Sequence, residues 1–307
     1  MKKVIVTTTI NKPTEATLKF CDRKDWEFIV VGDIKTPHRE YEKLNCIYLR
    51  PDEQAKKYKK LSKLIGWNTI QRRNIGFIEA YNMGANIIAS VDDDNIPYDS
   101  WGENVYVGEE IECDMFEPQL SVFDPLAVTN LNNLWHRGFP IEYIEKRNLV
   151  SYEGKVKRMV RVQADLWDGD PDIDAIARLS KNVIGKIAVI EPYCSNRISP
   201  FNSQNTFFAR EVIPYYAVLP FVGRMDDIWG GYILQNKFPN SLIYNRASVY
   251  QERNLQDTIT NLEKEIIGYR HTLDFINSGA DLNQKYIPQE TRDFYKHYKS
   301  LFKEKTT

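Results

Sequence analysis

Ile87-Ile88-Ala89-Ser90-Val91, followed at once by Asp92-Asp93-Asp94, is the stretch on which the fold turns. A short apolar run rich in β-branched residues and bounded by polar ones reads as a buried strand. Carboxylates at the C-terminal end of such a strand stand where open α/β sheets bind their ligands. Three adjacent anions repel unless a cation compensates, and hard carboxylate oxygens suit Mg²⁺ or Mn²⁺. The triplet therefore points to a metal–diphosphate site. The alternative is a polar turn after a strand, with Asn95 and Pro97 as its turn residues.

Upstream, Val4 to Thr8, Trp26 to Val31 and Cys46 to Leu49 read as strands. Between them Thr14 caps a predicted helix running to about Phe20. Lys56 to Leu64 looks helical, and Thr69 to Met83 is a longer amphipathic helix stopped by Gly84. Strand and helix in alternation predict a parallel sheet. After Asp94 the pattern loosens. Strands are expected near Met115 and over Val160–Leu166, Ser203–Arg210 and Ser241–Tyr250, and helices over Ile173–Leu179 and Arg224–Gln235. Within Asn130 to Gly154, Trp135-His136-Arg137-Gly138-Phe139-Pro140 reads as a loop and turn, and Asp168 to Asp172 as a polar turn. The chain is expected to be one α/β domain over residues 1–254, with a helical, charged C-terminal extension over 255–307.

The 307 residues are 42% hydrophobic and 27% charged, an ordinary globular balance. A net charge of -1 gives no field that favours nucleic acid or a membrane surface. No run approaches the ~20 apolar residues of a membrane span. The first ten residues, MKKVIVTTTI, are too short and too Thr-rich for a signal peptide, so a cytoplasmic location is expected. Cys21, Cys46, Cys113 and Cys194 lack CxxC spacing and read as reduced thiols. Oligomeric state is left open, a homo-oligomer included.

Several other residues are suited to a ligand site. Thr7, Thr8, Thr9 and Asn11 at the first strand's end offer hydroxyls and an amide to a base or ribose; taken alone, strand propensity and a turn are the simpler account. Asp33 also ends a strand and suits a ribose hydroxyl or a turn. Arg72 and Arg73 open the helix before the triplet and suit bidentate diphosphate contacts, or a solvated face. Arg224-Met225-Asp226-Asp227-Ile228-Trp229-Gly230-Gly231 is a second acidic cluster. Asp226 or Asp227 suits a general base or a sugar-orienting group, helix capping being the alternative. The Gly-Gly pair admits a close approach. Trp167 with Asp168, Asp170 and Asp172 forms a third acidic patch, and His271 is a candidate extra metal ligand.

Taken in order, these blocks resemble a known group. Residues 26–37, 45–49, Arg72-Arg73-Asn74-Ile75-Gly76 and Val91-Asp92-Asp93-Asp94-Asn95 look like the STELLO-type glycosyltransferase-like domain. Arg137-Gly138-Phe139-Pro140, residues 166–175, Asn205-Thr206-Phe207-Phe208-Ala209-Arg210 and residues 223–231 also resemble the reversibly glycosylated polypeptides, the UDP-arabinopyranose mutase family. The resemblance spans roughly residues 3 to 250. It implies a GT-A-like fold, a Rossmann-like nucleotide half joined to an acceptor half through one continuous sheet. It also implies a nucleotide-sugar donor, UDP-linked, with a glycan or other small acceptor and Mn²⁺ or Mg²⁺ as cofactor. Asp94 would then ligate the metal. Asp92 and Asp93 would lie on the donor side with Thr8, Asp33, Arg72, Arg73, Asn205 and Trp229. Asp226 and Asp227 would lie by the anomeric carbon or the acceptor hydroxyl. One departure is plain. Where the mutase family has a reactive arginine, this chain has Ile141 to Lys146, with Arg147, Arg158 and Arg161 further on. Transfer to a separate acceptor is thereby favoured over self-glycosylation or nucleotide-sugar isomerisation; a non-catalytic scaffold that kept the fold is the reading from another class.

Overall fold

β1 (Lys3–Thr9), β2 (Glu27–Gly32), β3 (Ile47–Leu49) and β4 (Ile87–Val91) pair in parallel in the spatial order β3-β2-β1-β4. The structure, a computed structural model, describes residues 1–181, 184–189, 192–252 and 257–302. Every residue of β4 is buried, as its apolar run requires. The chain moves outward from β1 to β3 and then returns to the other side of β1 as β4. That reversal creates a switch point between β1 and β4, and α/β sheets open their ligand crevice at the carboxyl ends of such strands. Thr9 ends β1 there, and Asp92 leaves β4 there.

Beyond β4 the same sheet continues as a mixed half. β5 (Asn95–Pro97), β6 (Glu110–Pro118), β7 (Val150–Met159), β8 (Val162–Gly169), β9 (Tyr193–Cys194), β10 (Asn205–Ala209) and β11 (Leu242–Gln251) complete it. The order runs β4-β10-β8-β11-β9-β6-β7, with β5 added on β11. β10 lies antiparallel to β4 and carries Asn205 opposite Val91. A parallel half passing into a mixed half through one sheet is the GT-A-like α/β architecture that was expected.

Several elements differ from expectation. The helix expected over Lys56–Leu64 is two helices, α3 (Pro51–Lys57) and α4 (Lys59–Ile65). They follow α1 (Glu15–Cys21) and α2 (His38–Tyr41), and Tyr58, at φ -121°, breaks the pair. The helix expected from Thr69 starts as a tight turn over Ile70–Arg72 and continues as α5 (Arg73–Asn82). β7, a ten-residue strand paired with β6, runs where no strand was expected. β7 lies at the end of the sheet and most of its residues are exposed, so it has no apolar run to betray it. Asp168 and Asp172, expected in a solvated turn, are buried.

α6 (Ala175–Ser180) and α7 (Asp226–Lys237) lie near their expected positions. α8 (Thr258–Asn277) and α9 (Gln289–Ser300) pack on the body of the chain. Phe275 stacks on Trp229 at 4.7 Å between ring centres. Thr291 donates to the Pro220 carbonyl (2.8 Å) and Tyr298 to that of Ile213 (3.2 Å). The expected boundary between 254 and 255, and residues 303–307, lie outside the described residues. Among the described residues no helix is long and apolar enough to cross a membrane.

Candidate functional site

At the switch point β1, β4 and the loop before α5 enclose a cavity of about 230 Å³ lined by Thr8, Thr9, Asn11, Thr69, Arg73 and the whole Asp92–Asp94 triplet. A second cavity, of about 560 Å³, adjoins it and shares Asn68, Thr69, Ile70, Asp92 and Asp94. Its remaining wall includes Asp226 and Asp227 at the start of α7. Folding therefore joins two acidic clusters that lie far apart in sequence. The three triplet residues are only partly buried, so each is open to the cavity side.

Each aspartate of the triplet has a different setting. Arg73 donates to Asp92, and the same guanidinium donates to the Ser203 carbonyl (3.0 Å) and hydroxyl (2.8 Å). Asp93 accepts from the Thr9 hydroxyl and from the Asn11 amide (3.0 Å). Burial pushes the Asp93 carboxyl up, against those two hydrogen bonds. The Asp94 carbonyl accepts the Glu252 N–H (3.1 Å), which ties the triplet's end to the residue just past β11.

The second cluster separates into two unlike carboxyls. Asp227 accepts from Arg137 (3.1 Å), from the Ser203 N–H (2.9 Å) and from the Ser203 hydroxyl (3.1 Å). Burial works against its charge, but the Arg137 guanidinium wins and holds Asp227 below the ordinary carboxylate range. Asp226 accepts from Gln71 (2.9 Å) and from the Asp227 N–H (2.9 Å), and the Arg137 guanidinium, bonded to Asp227, offsets its burial only in part. Burial pushes its carboxyl up to about 8, the neighbouring Asp227 charge adding to the shift. Two adjacent carboxyls driven apart in this way divide acid–base work between them.

Arg137 is the hinge of this cluster. It lies between two buried carboxylates, bonding Asp172 (2.9 Å) on one side and Asp227 on the other. Asn202 completes the Asp172 shell at 2.8 Å. Gly138 makes the placement possible. It sits at φ +82°, and a Cβ there would meet the Ile228 side chain of α7 at 2.4 Å. The Arg-Gly-Phe-Pro block stood out in the sequence, but its partners, 35 and 90 residues away, did not. Gln71, Gln204, Gln251, Phe221 and Lys264 also line the second cavity and carried no sequence signal. Lys264 comes from α8, so the C-terminal helices contribute to the wall.

Other expected site residues are not brought to either cavity. Trp229 is fully buried, stacked on Phe275, with its indole N–H on Thr272 (3.1 Å), and it lines neither cavity. Asn205 is buried too. Its amide bonds Leu166 (3.1 Å) and Ser248 (2.9 Å), and its carbonyl accepts from Trp101 (3.0 Å), which uses up its polar atoms beneath the site. Arg72 turns away from the site onto the Trp67 face at 3.8 Å and bonds Gln54 (3.0 Å). Asp33 acts at one remove. Its carboxylate accepts the Thr69 N–H (3.1 Å) and so shapes the loop that walls both cavities. His271 stacks on Tyr286 at 4.2 Å. The approach that Gly230 and Gly231 permit is made by the Ala217 backbone and the Phe201 ring, not by a ligand. Thr8, by contrast, lines the first cavity, with its hydroxyl donated to the Val31 carbonyl (2.9 Å).

The three downstream arginines are spent on structure. Arg147 donates to the carbonyls of Leu134 (3.1 Å) and Ile144 (3.3 Å) and pairs with Asp124 at 3.4 Å. Arg158 donates to Asn196 (3.0 Å), and Arg161 pairs with Glu211 (2.7 Å).

No family model matches the chain. Two curated proteins of Arabidopsis thaliana do: the probable glycosyltransferase STELLO2, 24% identical over 188 residues, and the probable glycosyltransferase STELLO1, 23% identical over the same length. The match takes in 57% of this chain but 24% of each relative. The resemblance to the STELLO-type glycosyltransferase-like domain therefore holds. Among solved structures, glucosyl-3-phosphoglycerate synthase from Mycobacterium tuberculosis, in complex with phosphoglyceric acid, aligns with a TM-score of 0.46 at 10% identity, covering 91% of this chain and 79% of that one.

Proposed function

We propose that this chain is a metal-dependent glycosyltransferase domain that moves a sugar from a nucleotide donor, a UDP-sugar, to a separate acceptor. One observation carries the reading: adjoining cavities bring Asp92 and Asp94 together with Asp226 and Asp227. The likeness to the two STELLO proteins, named as probable glycosyltransferases, supports it.

Among the described residues no group of three or more His, Cys, Asp or Glu side chains forms a ready metal cage. A cation shared with a diphosphate needs no such cage. Mg²⁺ commonly takes one or two carboxylates and fills its other positions with phosphate oxygens and water. Asp94 and Asp92, which face both cavities, fit that role. When bound, the metal supplies positive charge against the departing diphosphate.

The chain's own groups account for the rest. Thr8, Thr9 and Asn11 offer hydroxyl and amide contacts to the nucleoside in the first cavity. Arg73 fixes Asp92. In an inverting transfer Asp226 takes the proton from the acceptor hydroxyl, because Arg137 and Ser203 hold Asp227 as a fixed anion. Asp227 and Asp172 keep the surroundings negative as oxocarbenium charge develops. The placement of Arg147, Arg158 and Arg161 in structural bonds favours an external acceptor.

The test is NMR of the purified protein with a panel of nucleotide sugars, with and without Mn²⁺. Metal-dependent release of nucleotide from one donor supports the proposal and names the sugar. Conversion of a nucleotide sugar into its isomer, with no nucleotide released, makes the chain a mutase. Absence of metal-dependent UDP binding, measured by calorimetry, sinks both.

A further inference from the structure

Among the described residues Phe221 is the one phenylalanine or tryptophan that stands exposed, at 55%. It lines the second cavity, on the loop that leads into α7 and Asp226. Its backbone sits at φ +65°. The other described non-glycine residues with positive φ are Asn68, Asn240 and Ala280. Asparagine enters that left-handed region through local hydrogen bonds, whereas a bulky aromatic residue has no such reason to be there. Strain of this kind persists only where the surroundings enforce it, and it gathers at functional sites.

Here the surroundings do enforce it. The Pro220 carbonyl accepts from Thr291 of α9 (2.8 Å). The Leu219 N–H donates to the Asp226 carbonyl (3.0 Å), which closes the loop. Val222 is fully buried. Gly223 lies so close to α8 that a Cβ would run into the Lys264 carbonyl. The residues on both sides of Phe221 are thus fixed, while its own side chain stays open to the cavity. A side chain left so open removes little apolar area from water.

We infer that Phe221 is the stacking platform for the acceptor, and that the acceptor is a neutral sugar. The inference rests on the transfer reading above, which gives this cavity to the acceptor. A sugar ring presents a face of weakly positive C–H groups, which suits the negative face of an aromatic ring. Its hydroxyls need donors and acceptors together, and Gln71, Gln204 and Gln251 put neutral amides on the same wall. The cavity's charges disfavour an anionic acceptor. Asp92, Asp94, Asp172, Asp226 and Asp227 line it against Arg137, Arg224 and Lys264. Arg137 is taken by Asp172 and Asp227, and Arg224 bonds Glu265 (2.7 Å). Lys264 is the cation on which an anionic acceptor would have to rely. The C-terminal helices, in this account, hold the acceptor loop in place.

The experiment is saturation-transfer NMR of the full chain with UDP and Mn²⁺. The probes are maltose and the methyl glycosides of glucose, galactose, mannose and xylose, with glycerol 3-phosphate as the anion. At least one neutral sugar should take up saturation, most strongly along one C–H face. Phe221→Ala should weaken that sugar about tenfold, and Phe221→Trp should restore it. Phe221→Gly relieves the strained φ, so its Tm should stay within about 2 °C of the parent or rise, where loss of a packing residue would lower it further. Metal-dependent UDP affinity, by calorimetry, should stay within about twofold in all three variants. Sugar binding that survives Phe221→Ala would overturn the inference, as would a panel in which no sugar binds. So would glycerol 3-phosphate binding that is lost in Lys264→Gln and kept in Phe221→Ala. The two failures are distinct. A parent chain without metal-dependent UDP binding removes the transfer reading, whereas UDP binding with no Phe221-dependent sugar removes the platform alone.

Discussion

Replacing Asp226 with Asn should stabilise the protein at alkaline pH while removing its transfer activity. The Asp226 carboxyl rises from an ordinary 3.8 to about 8 in the folded chain, chiefly through burial. The unfolded chain loses this proton near pH 4, whereas the folded chain keeps it until about 8. Between those limits the folded state binds more protons, so stability falls as pH rises and levels off above 8. A shift of that size caps the loss at about 6 kcal/mol, at 1.36 kcal/mol per pH unit. Relaxation and water entry reduce this to about 2–3 kcal/mol. Asparagine cannot ionise, so it escapes the loss and still offers a carbonyl to Gln71. Thermal denaturation of both proteins from pH 5.5 to 8.5 at constant ionic strength reads the difference. Asp226→Asn should gain on the parent across that range, by about 5 °C in Tm at the alkaline end. Asp124, Asp165 and Asp174, also raised by burial, act alike in both proteins and cancel in the difference. A constant gap between the two proteins at every pH would refute the assignment of the proton to Asp226. The parent's transfer rate should climb with pH towards 8, as the base loses its proton.

Asp94→Ala should leave the fold intact by circular dichroism but weaken Mn²⁺-dependent UDP binding by about tenfold or more in calorimetry; unchanged binding rejects it as a ligand. Arg137→Met takes from Asp172 and Asp227 the buried cation they share, with the Arg224 guanidinium no nearer to Asp172 than 4.0 Å, so urea denaturation should show a loss of about 3–5 kcal/mol. A loss below about 1 kcal/mol would mean that the carboxylates find other partners. Trp229→Phe loses the bond to Thr272 and some packing on Phe275, costing about 1–3 kcal/mol of stability. UDP affinity should stay within about twofold, and a large fall would return Trp229 to the donor site.

What could be read from sequence depended on how far away each residue's partners lie. β4 was legible because its signal is internal: five residues, all apolar or small, all buried, ending in three charges. The switch point followed from it, since a strand returning beside β1 must place its carboxyl end next to that of β1. β7 was not legible. It owes its existence to β6, more than thirty residues upstream, and its exposed face selects for charge, not for an apolar run. The site residues divide in the same way. Thr8, Arg73, the triplet, Asp226 and Asp227 reach the cavities because strand ends and helix starts face the crevice. Asn205 also sits at a strand end, yet it belongs to the core: β10 runs antiparallel to β4, and Trp101, Leu166 and Ser248 close around its amide. Its chemistry suits a ligand contact and a satisfied buried amide equally, so only three-dimensional partners separate the two. Arg137 shows the converse. An isolated arginine in a loop predicts a solvated charge, and burying it is costly unless anions meet it. Asp172 and Asp227 meet it from two different elements. By fixing Asp227 as the charged member, that arrangement leaves Asp226 as the carboxyl free to exchange a proton. The difference between two adjacent aspartates is thus made by a residue some ninety positions away, and it exists only in the folded chain.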